Sequence, residues 1–290
     1  MPGPRRPTTV LITGGTDGLG KAAAVLLASL GYRVVAAGRS APKRAALDAF
    51  AKSGNLPLSS IELDVCDDAS VKSAVENVLA LHGSIDILIN NAGVGYMAVV
   101  EELKMEDLKQ QFETNLFGVL RVTQAVLPSM RENRRGRILM VSSVAGLVTP
   151  PTYGAYSSSK HALEGLSNAL RVELYPFGIE VVLIEPGYIR TNFQQTATEL
   201  ARPYVEAAIG SPYARIYAGA WAGANGARLR SKTTPEDCAR VMLRAIAARN
   251  PRARYGVTPA ATLVKWAKRL LSDRIGDFLI RRRFGVTRNG

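Results

Sequence analysis

The sequence contains little cysteine and little histidine, and this shortage excludes several kinds of site. Among the 290 residues there are two cysteines, Cys66 and Cys238, and two histidines, His82 and His161. Cysteines so far apart predict neither a disulfide framework nor a CxxC zinc site. Two histidines are too few for a histidine-rich metal cluster. No bound metal is therefore expected.

Long apolar runs are also missing. A helix that crosses a bilayer needs about 20 predominantly apolar residues. The longest uncharged stretch, residues 138–159, is interrupted by serine, glycine and proline, so no spanning helix is expected. Residues 1–7 are too polar and too rich in proline to predict a signal peptide. The expected location is the cytoplasm.

Acidic residues are scarce near the C-terminus. The formal net charge is +13. Residues 227–290 hold 16 of the 37 lysines and arginines but 4 of the 24 acidic residues, which leaves residues 1–226 nearly neutral. This distribution argues against a nucleic-acid-binding protein that is basic throughout. Nucleic acid is not an expected partner, because the basic segment carries packing residues such as Trp266 and no recognition motif.

What the sequence does contain is a regular alternation of short apolar runs and amphipathic stretches. Six apolar runs predict buried strands, at residues 9–13, 33–37, 60–63, 85–89, 137–141 and 180–184. Apolar residues at helical spacing predict helices at residues 20–30, 70–81, 105–130 and 156–174. Alternating strands and helices predict an α/β fold, a doubly wound parallel sheet with helices on both faces.

A glycine-rich turn follows the first predicted strand. It reads Thr13-Gly14-Gly15-Thr16-Asp17-Gly18-Leu19-Gly20 and leads into the first predicted helix. Glycine permits a positive φ and a close approach of the backbone to a diphosphate, and the N-terminus of a helix attracts anions. A tight turn without a ligand is the alternative, but the position at the first strand of an α/β chain favours a dinucleotide.

The end of the second strand indicates which dinucleotide is expected. NAD-binding folds usually carry an acidic residue there for the ribose 2′-hydroxyl, and residues 36–40 contain none. Arg39 and Ser40 can instead bind a 2′-phosphate, so NADP is favoured over NAD. Asp17 opposes this preference, because an anion near the phosphate weakens its binding. The ends of the third and fourth strands add candidates for the same site, namely Asp64, Val65, Asn91, Ala92 and Gly93.

A tyrosine and a lysine four residues apart are the candidate catalytic pair. Tyr156 and Lys160 share one face of a predicted helix. A phenol with an ordinary pKa of about 10 is a poor base at neutral pH. A nearby ammonium group favours the phenolate, so the pair is a candidate general acid and base. Ser143 follows the fifth strand and can hold the substrate oxygen, and Asn115 is a polar residue within an apolar helix pattern.

Together these motifs resemble the short-chain dehydrogenase/reductase family over about residues 8–258. The loop after the sixth strand adds further cofactor-binding candidates, which are Pro186, Gly187, Ile189 and Thr191. The resemblance implies a single-domain Rossmann fold with seven parallel strands, a nicotinamide cofactor, a small carbonyl or alcohol substrate and no metal. It also implies a homodimer or homotetramer formed through the long helices at residues 105–130 and 156–174.

The resemblance assigns roles to the candidate catalytic residues. Tyr156 is the proton donor and acceptor, and Lys160 lowers its pKa and binds the nicotinamide ribose. Ser143 orients the substrate, and Asn115 positions a water in a proton relay. These roles are expectations that the arrangement of the residues in space can support or oppose.

A narrower likeness concerns the substrate. Glu185-Pro186-Gly187 and the segment at residues 249–255 resemble the branch with retinol and 17β-hydroxysteroid dehydrogenases, which implies a steroid-, retinoid- or lipid-like substrate. Residues of about 191–232 are a predicted substrate lid, lined by Phe193, Tyr204, Tyr213, Tyr217 and Trp221 or simply packed by them. A 3-oxoacyl-[acyl-carrier-protein] reductase is an alternative function. A non-catalytic nucleotide-binding interaction protein is another, against which the complete catalytic set argues.

Residues 259–290 form a basic C-terminal extension beyond the shared pattern. Apolar residues three and four apart, with lysines and arginines between them, predict one or two amphipathic helices broken near Ser272 and Gly276. Such a helix can lie on an anionic membrane surface, dock an acidic protein or cover the substrate cleft. A packed extension with a solvated basic face is the alternative.

Overall fold

The structure is a computed structural model, and it describes residues 7–287. Residues 1–6, from which no signal peptide is predicted, and residues 288–290 lie outside the described part. So do the side chains of residues 224–225, 227–230, 260 and 269.

One parallel sheet of seven strands organises the described part of the chain. The strands are Thr9–Thr13 (β1), Arg33–Gly38 (β2), Leu58–Glu62 (β3), Ile87–Asn90 (β4), Gly136–Val141 (β5), Ile179–Glu185 (β6) and Arg254–Gly256 (β7). Their order across the sheet is β3-β2-β1-β4-β5-β6-β7, and every neighbouring pair is parallel. This confirms the predicted α/β class and the doubly wound sheet. The third strand ends at Glu62, so Asp64 and Val65 lie in the loop after it.

Helices cover both faces of this sheet. They are Gly18–Ser29 (α1), Ala41–Ser53 (α2), Asp68–His82 (α3), Met105–Phe112 (α4), Gly118–Glu132 (α5), Gly154–Glu173 (α6), Asn192–Ala207 (α7), Ala214–Arg230 (α8), Pro235–Ala247 (α9), Pro259–Leu270 (α10) and Asp273–Phe284 (α11). Capping side chains mark several of the starts: Asp67 accepts a hydrogen bond from the Ser70 N–H at 2.6 Å, and Thr234 caps α9.

The continuous apolar runs of the strands are explained by burial on both faces. Val10 and Ile12 of β1 pack into a core with α1 and α9, whereas Leu11 between them packs into a second core with α3, α5 and α6. Alternate residues of a strand point to opposite faces, so a strand covered on both sides needs no polar alternation.

The long helix predicted at residues 105–130 is interrupted. Residues Glu113–Phe117 form a π-helical turn that separates α4 from α5. Close packing accompanies this break, because a Cβ at Gly118 would stand 2.8 Å from the Val65 side chain. A π-helical turn inserts one residue and shifts the register of the helix face, and here it places Asn115 in the interior.

Two helices, α10 and α11, form the end of the described chain, and the break between them falls at Ser272 as predicted. The break predicted near Gly276 is wrong, because Gly276 lies within α11. They lie outside the sheet, and many of their apolar side chains are exposed. Among the described residues, no helix has both the length and the hydropathy required to span a bilayer.

Candidate active site

The carboxyl ends of the parallel strands meet at one edge of the sheet, and a cavity of about 600 Å³ opens there. The predicted site residues that line it are Gly14, Asp17, Gly18, Leu19, Arg39, Asp64, Val65, Asn91, Ala92, Gly93, Ser143, Tyr156, Lys160, Pro186, Gly187, Ile189 and Thr191. Those that do not line it are Thr13, Thr16, Gly20, Ser40 and Asn115.

The glycine-rich turn has a backbone that fits a diphosphate. Gly14 and Gly18 have positive φ angles of 61° and 51°. A Cβ at Gly20 would stand 2.3 Å from the Gly14 carbonyl oxygen, so the turn closes only with glycine at this position. The N-terminus of α1 lies beside this part of the cavity, and its positive dipole end favours an anion. The residues present therefore fit a dinucleotide.

Thr13 and Thr16 do not line the cavity, but they support the glycine-rich turn and the strand beside it. The Thr13 hydroxyl accepts hydrogen bonds from the Asn91 and Ala92 N–H groups at 3.0 and 3.1 Å. The Asn91 side-chain amide donates to the Thr13 and Gly14 carbonyl oxygens at 3.0 and 3.1 Å. Thr16 packs under Gly38, where a Cβ would stand 2.6 Å from its hydroxyl. Ser40 stands at the start of α2.

Two basic side chains, those of Arg39 and Lys43, line the cavity near the glycine-rich turn. Arg39 is mostly exposed, and its guanidinium lies 3.5 Å from the Asp64 carboxylate. Lys43 lies 2.5 Å from Asp17. Partial burial works against ionisation of Asp17, but hydrogen bonds from Lys43, Asn192 and the Gly18 N–H hold its pKa below the ordinary value. The negative charge of Asp17 is thus offset by Lys43, which reduces its opposition to a 2′-phosphate.

The structure brings Ser143, Tyr156 and Lys160 to one wall of the cavity. Helix α6 presents the tyrosine and the lysine on the same face, with the Lys160 ammonium 5.9 Å from the centroid of the Tyr156 ring. The ammonium donates a hydrogen bond to the Val141 carbonyl oxygen at 2.8 Å. Ser143 begins a short 3₁₀ turn at the end of β5. Two different elements therefore deliver these three side chains.

Burial dominates the ionisation of the pair in this structure. It raises the pKa of Tyr156 to about 12, and the Ser143 hydroxyl opposes the rise. It lowers the pKa of Lys160 to about 8, against the attraction of Glu164. The sequence predicts that the lysine favours the phenolate, and in this structure burial acts in the opposite direction on the pKa of the phenol.

Asn115 is buried in the π-helical turn, away from the cavity. Its carbonyl oxygen accepts a hydrogen bond from the Val94 N–H at 2.9 Å, and its amide donates to the Val94 carbonyl oxygen at 3.0 Å and to Ser159 at 3.2 Å. Asn115 thus joins α6 to the loop after β4. Gly93 in that loop packs tightly, since a Cβ there would stand 3.2 Å from the Asn115 oxygen.

A buried charged network behind Lys160 was not predicted from the sequence. Arg254 of β7 forms an ion pair with Glu164, lies 2.7 Å from a Glu185 carboxylate oxygen and donates to Asn168 at 3.2 Å. The side chains of Glu164 and Glu185 are 8% and 1% exposed. Burial raises the pKa of Glu164 despite Arg254. The signal available in the sequence was a glutamate four residues after Lys160, on the same helix face.

The aromatic residues of the predicted lid segment mostly pack against other parts of the chain, which is the alternative that the sequence left open. Of its five aromatic residues, Phe193 lines the cavity, with its ring 5.7 Å from that of Tyr156. Tyr204 and Tyr217 pack with Ala98, and their hydroxyls accept hydrogen bonds from the backbone of residues 104 and 99 at 3.1 Å. Tyr213 packs against this same cluster, and Trp221 is exposed. Most of these aromatic residues hold α7 and α8 to the loop after β4 instead of contacting the cavity.

The outer part of the cavity is mainly apolar. Met97, Val144, Val148, Pro150 and Tyr188 contribute to its wall. Arg283 and Phe284, near the end of α11, also line it. The C-terminal extension therefore covers part of the cleft of its own chain, which is one of the three arrangements considered for it.

The family model described as short chain dehydrogenase matches residues 8–201. The chain therefore belongs to the short-chain dehydrogenase/reductase family and is an NAD(P)-dependent oxidoreductase. It is 35% identical over 248 residues to dehydrogenase/reductase SDR family member 7B of Xenopus laevis, covering 83% of this chain and 71% of that one. It is 39% identical over 188 residues to 3-ketodihydrosphingosine reductase of Bacteroides thetaiotaomicron, covering 65% and 66%. It is 39% identical over 192 residues to human retinol dehydrogenase 8, covering 65% and 61%.

Solved structures show the same fold. A short-chain dehydrogenase/reductase from Burkholderia phymatum in complex with NAD aligns with a TM-score of 0.79 at 26% identity, covering 93% of this chain and 95% of that one. A closed form of serine dehydrogenase complexed with NADP+ aligns with a TM-score of 0.75 at 25% identity, covering 87% and 95%. Similar structures thus hold either nicotinamide cofactor.

Proposed function

We propose that this enzyme uses NADP(H) to interconvert a ketone or aldehyde and an alcohol on a lipophilic, steroid-, retinoid- or lipid-like substrate. The observation that carries the proposal is the placement of Tyr156, Lys160 and Ser143 together in the lining of a largely apolar cavity. Two relatives have names that refer to retinol and ketodihydrosphingosine, which are lipophilic molecules. Apolar cavities with a few polar groups are typical of sites for such ligands.

The proposed mechanism assigns each proton to an atom of this chain. The nicotinamide, when bound, supplies or accepts the hydride. In the direction of reduction, the Tyr156 phenol donates its proton to the carbonyl oxygen, which Ser143 holds by a hydrogen bond. Lys160, whose ammonium lies 5.9 Å from the centroid of the Tyr156 ring, would stabilise the phenolate that forms and bind the nicotinamide ribose. Asn115, which is proposed to position a water in a proton relay, does not line the cavity, and its hydrogen bonds with Val94 hold the loop after β4.

A substrate screen tests the reaction class. NADPH and NADH are compared side by side with retinoid, steroid, fatty-acyl and sugar carbonyls, and turnover is followed by the absorbance of the reduced cofactor. We expect the lipophilic carbonyls to react faster and NADPH to be preferred. Faster turnover of sugar carbonyls would contradict the proposed substrate class, and the acyl-carrier-protein alternative would require a preference for fatty-acyl thioesters.

The preference for NADP rests on Arg39. Replacing Arg39 with alanine should weaken NADPH binding roughly tenfold, because a hydrogen bond to a charged group contributes about 1.5–3 kcal/mol and exposure reduces that contribution. NADH binding should change little. Fluorescence titration measures both dissociation constants. Lys52→Ala, at an exposed position on α2 away from the cavity, is the matched control. An equal loss for both cofactors would show that Arg39 does not recognise the 2′-phosphate.

We further propose a cytoplasmic enzyme that contacts an anionic membrane surface through α10 and α11. Leu263, Trp266, Leu270 and Phe278 on these helices are between 54% and 76% exposed. Basic side chains such as Lys265 are exposed among them. Apolar side chains that insert at the interface and cations that face lipid headgroups are typical of interfacial helices.

Vesicle binding tests this contact. Each basic residue near an anionic surface contributes about 1 kcal/mol, so the double variant Lys265→Gln with Arg274→Gln should bind vesicles containing phosphatidylserine roughly thirtyfold more weakly. Co-sedimentation measures the binding. Vesicles of phosphatidylcholine alone are the control, on which the double variant and the wild type should bind equally weakly. Equal binding of both proteins to anionic vesicles would contradict the proposal.

The family is usually oligomeric, and we propose a homodimer or homotetramer formed through α5 and α6. Val172, near the end of α6, is 72% exposed, and Phe117, just before α5, is 48% exposed. Such apolar exposure on the two long helices supports an interface there. Sedimentation equilibrium measures the state, and a monomer at micromolar concentration would contradict it.

A further inference from the structure

Part of the cavity wall comes from a segment beyond the family match, which ends at residue 201. Arg283 and Phe284 line the cavity from the end of α11, far along the chain from the catalytic residues. The chain's own C-terminal extension therefore contributes to the wall of the cleft.

Two glycines of α8 seat this end of α11. A Cβ at Gly219 would stand 2.3 Å from the Phe284 carbonyl oxygen, and a Cβ at Gly223 would stand 2.7 Å from its ring. Helix α11 ends immediately afterwards at Gly285, which has a positive φ of 68°. The contact is close enough that a larger residue on α8 would displace the end of α11, and Arg283 with it.

Arg283 has no counter-ion in the described part of the chain. Its side chain is exposed at the cavity and takes part in no ion pair or hydrogen bond among the described residues. The acidic residues that line the cavity are Asp17 and Asp64, and these are paired with Lys43 and Arg39 at the cofactor end. Neither of these carboxylates is paired with Arg283.

We propose that Arg283 binds an anionic group, a carboxylate or a phosphate, at the end of the substrate remote from its reacting carbonyl. The substrate is then an amphiphile whose carbonyl reaches Tyr156 and whose anion stays at the mouth of the cleft. A guanidinium suits both anions, because its N–H groups match their paired oxygens. This inference rests on the proposed oxidoreductase function and adds its substrate class.

Kinetics with matched substrates test the role of Arg283. Decanal, 10-oxodecanoate and the ten-carbon ω-oxo alkyl phosphate differ only in the remote group. We expect the wild-type enzyme to favour at least one of the two anionic aldehydes over decanal by roughly tenfold in kcat/KM, mainly through KM. The anionic aldehyde that reacts faster shows whether the site binds a carboxylate or a phosphate. The variant Arg283→Gln should lose this preference.

Control variants separate recognition from folding. Arg282→Gln removes an exposed charge beside Arg283 that does not line the cavity and should keep the preference. Gly219→Ala should lose it, because the added methyl displaces the end of α11. Gly276→Ala adds a methyl on α11 that meets nothing within 4 Å and should keep it. Loss of the preference in Arg282→Gln as well would reduce the effect to general charge and overturn the proposal.

Binding measurements keep the test independent of turnover. Calorimetry compares decanoate with decanol on protein saturated with NADPH, with which neither compound can react, and Arg283→Gln should weaken decanoate relative to decanol by roughly tenfold. If no aldehyde is reduced while this difference persists, the proposed function fails and Arg283 still recognises the anion. An unchanged preference in Arg283→Gln, or weaker NADPH binding by that variant, would overturn the role proposed for Arg283.

Discussion

Replacing Tyr156 with phenylalanine is expected to lower kcat roughly 10²- to 10⁴-fold, the usual contribution of a positioned acid or base. Phenylalanine keeps the ring. Its centroid lies 6.4 Å from that of Tyr153 in an edge-on contact and 5.7 Å from that of Phe193 in a tilted contact. The substitution removes only the hydroxyl that is to donate the proton. The loss should therefore fall on the chemical step and leave the cleft intact.

The measurement is steady-state turnover of a substrate found in the screen, together with the dissociation constant of NADPH. The cofactor should bind the variant nearly as well as the wild type, because Lys160 and the glycine-rich turn are untouched. Tyr153→Phe is the matched control: it removes the hydroxyl of a neighbouring tyrosine and should reduce kcat far less. Unchanged turnover in Tyr156→Phe would remove Tyr156 from the mechanism.

The largest expected effect on stability is that of Arg254→Ala, which should lower the free energy of unfolding by roughly 3–5 kcal/mol. The substitution leaves Glu164 and Glu185 buried without their shared cation. An uncompensated buried carboxylate is costly because it has lost its hydration. Urea denaturation monitored by circular dichroism measures the difference.

The pH dependence of this effect identifies its cause. Burial already raises the pKa of Glu164, and removal of Arg254 should raise it further. A buried carboxylate with a raised pKa destabilises the fold above that pKa and stops doing so once it is protonated. The penalty of Arg254→Ala should therefore shrink as the pH falls below neutral. Arg252→Ala, at an exposed position nearby, should show neither the penalty nor its pH dependence. A penalty that is constant with pH would point to lost packing alone.

The sequence alone predicted the parts of this protein that depend on local spacing. Apolar runs of strand length and helices at 3.6-residue spacing predicted the parallel sheet. The glycine-rich turn predicted a dinucleotide site, and its backbone angles fit one. Tyr156 and Lys160 needed only the pitch of a helix to share a face. These features follow from neighbouring residues, so they can be read without knowing the fold.

The sequence did not predict where a helix is interrupted or which surface buries a given side chain. The apolar pattern at residues 105–130 continues through Asn115, although a π-helical turn there buries its amide. The sequence left open whether the aromatic residues after Thr191 line a lid or pack the segment, and in the structure Tyr204 and Tyr217 pack against another loop. Composition shows that a segment has apolar residues to bury, but the surface that buries them depends on the arrangement of the helices.

Only the tertiary structure decided which distant residues meet. Arg254 and Glu164 are 90 positions apart, and their ion pair exists because β7 lies beside β6 and next to α6. Arg283 reaches the cleft because two glycines of α8 leave room for Phe284. The sequence by itself determined the strands, the cofactor turn and the Tyr156–Lys160 pair, whose geometry is set within a few residues. The charge network and the C-terminal wall of the cleft depend on long-range packing, which no local pattern records.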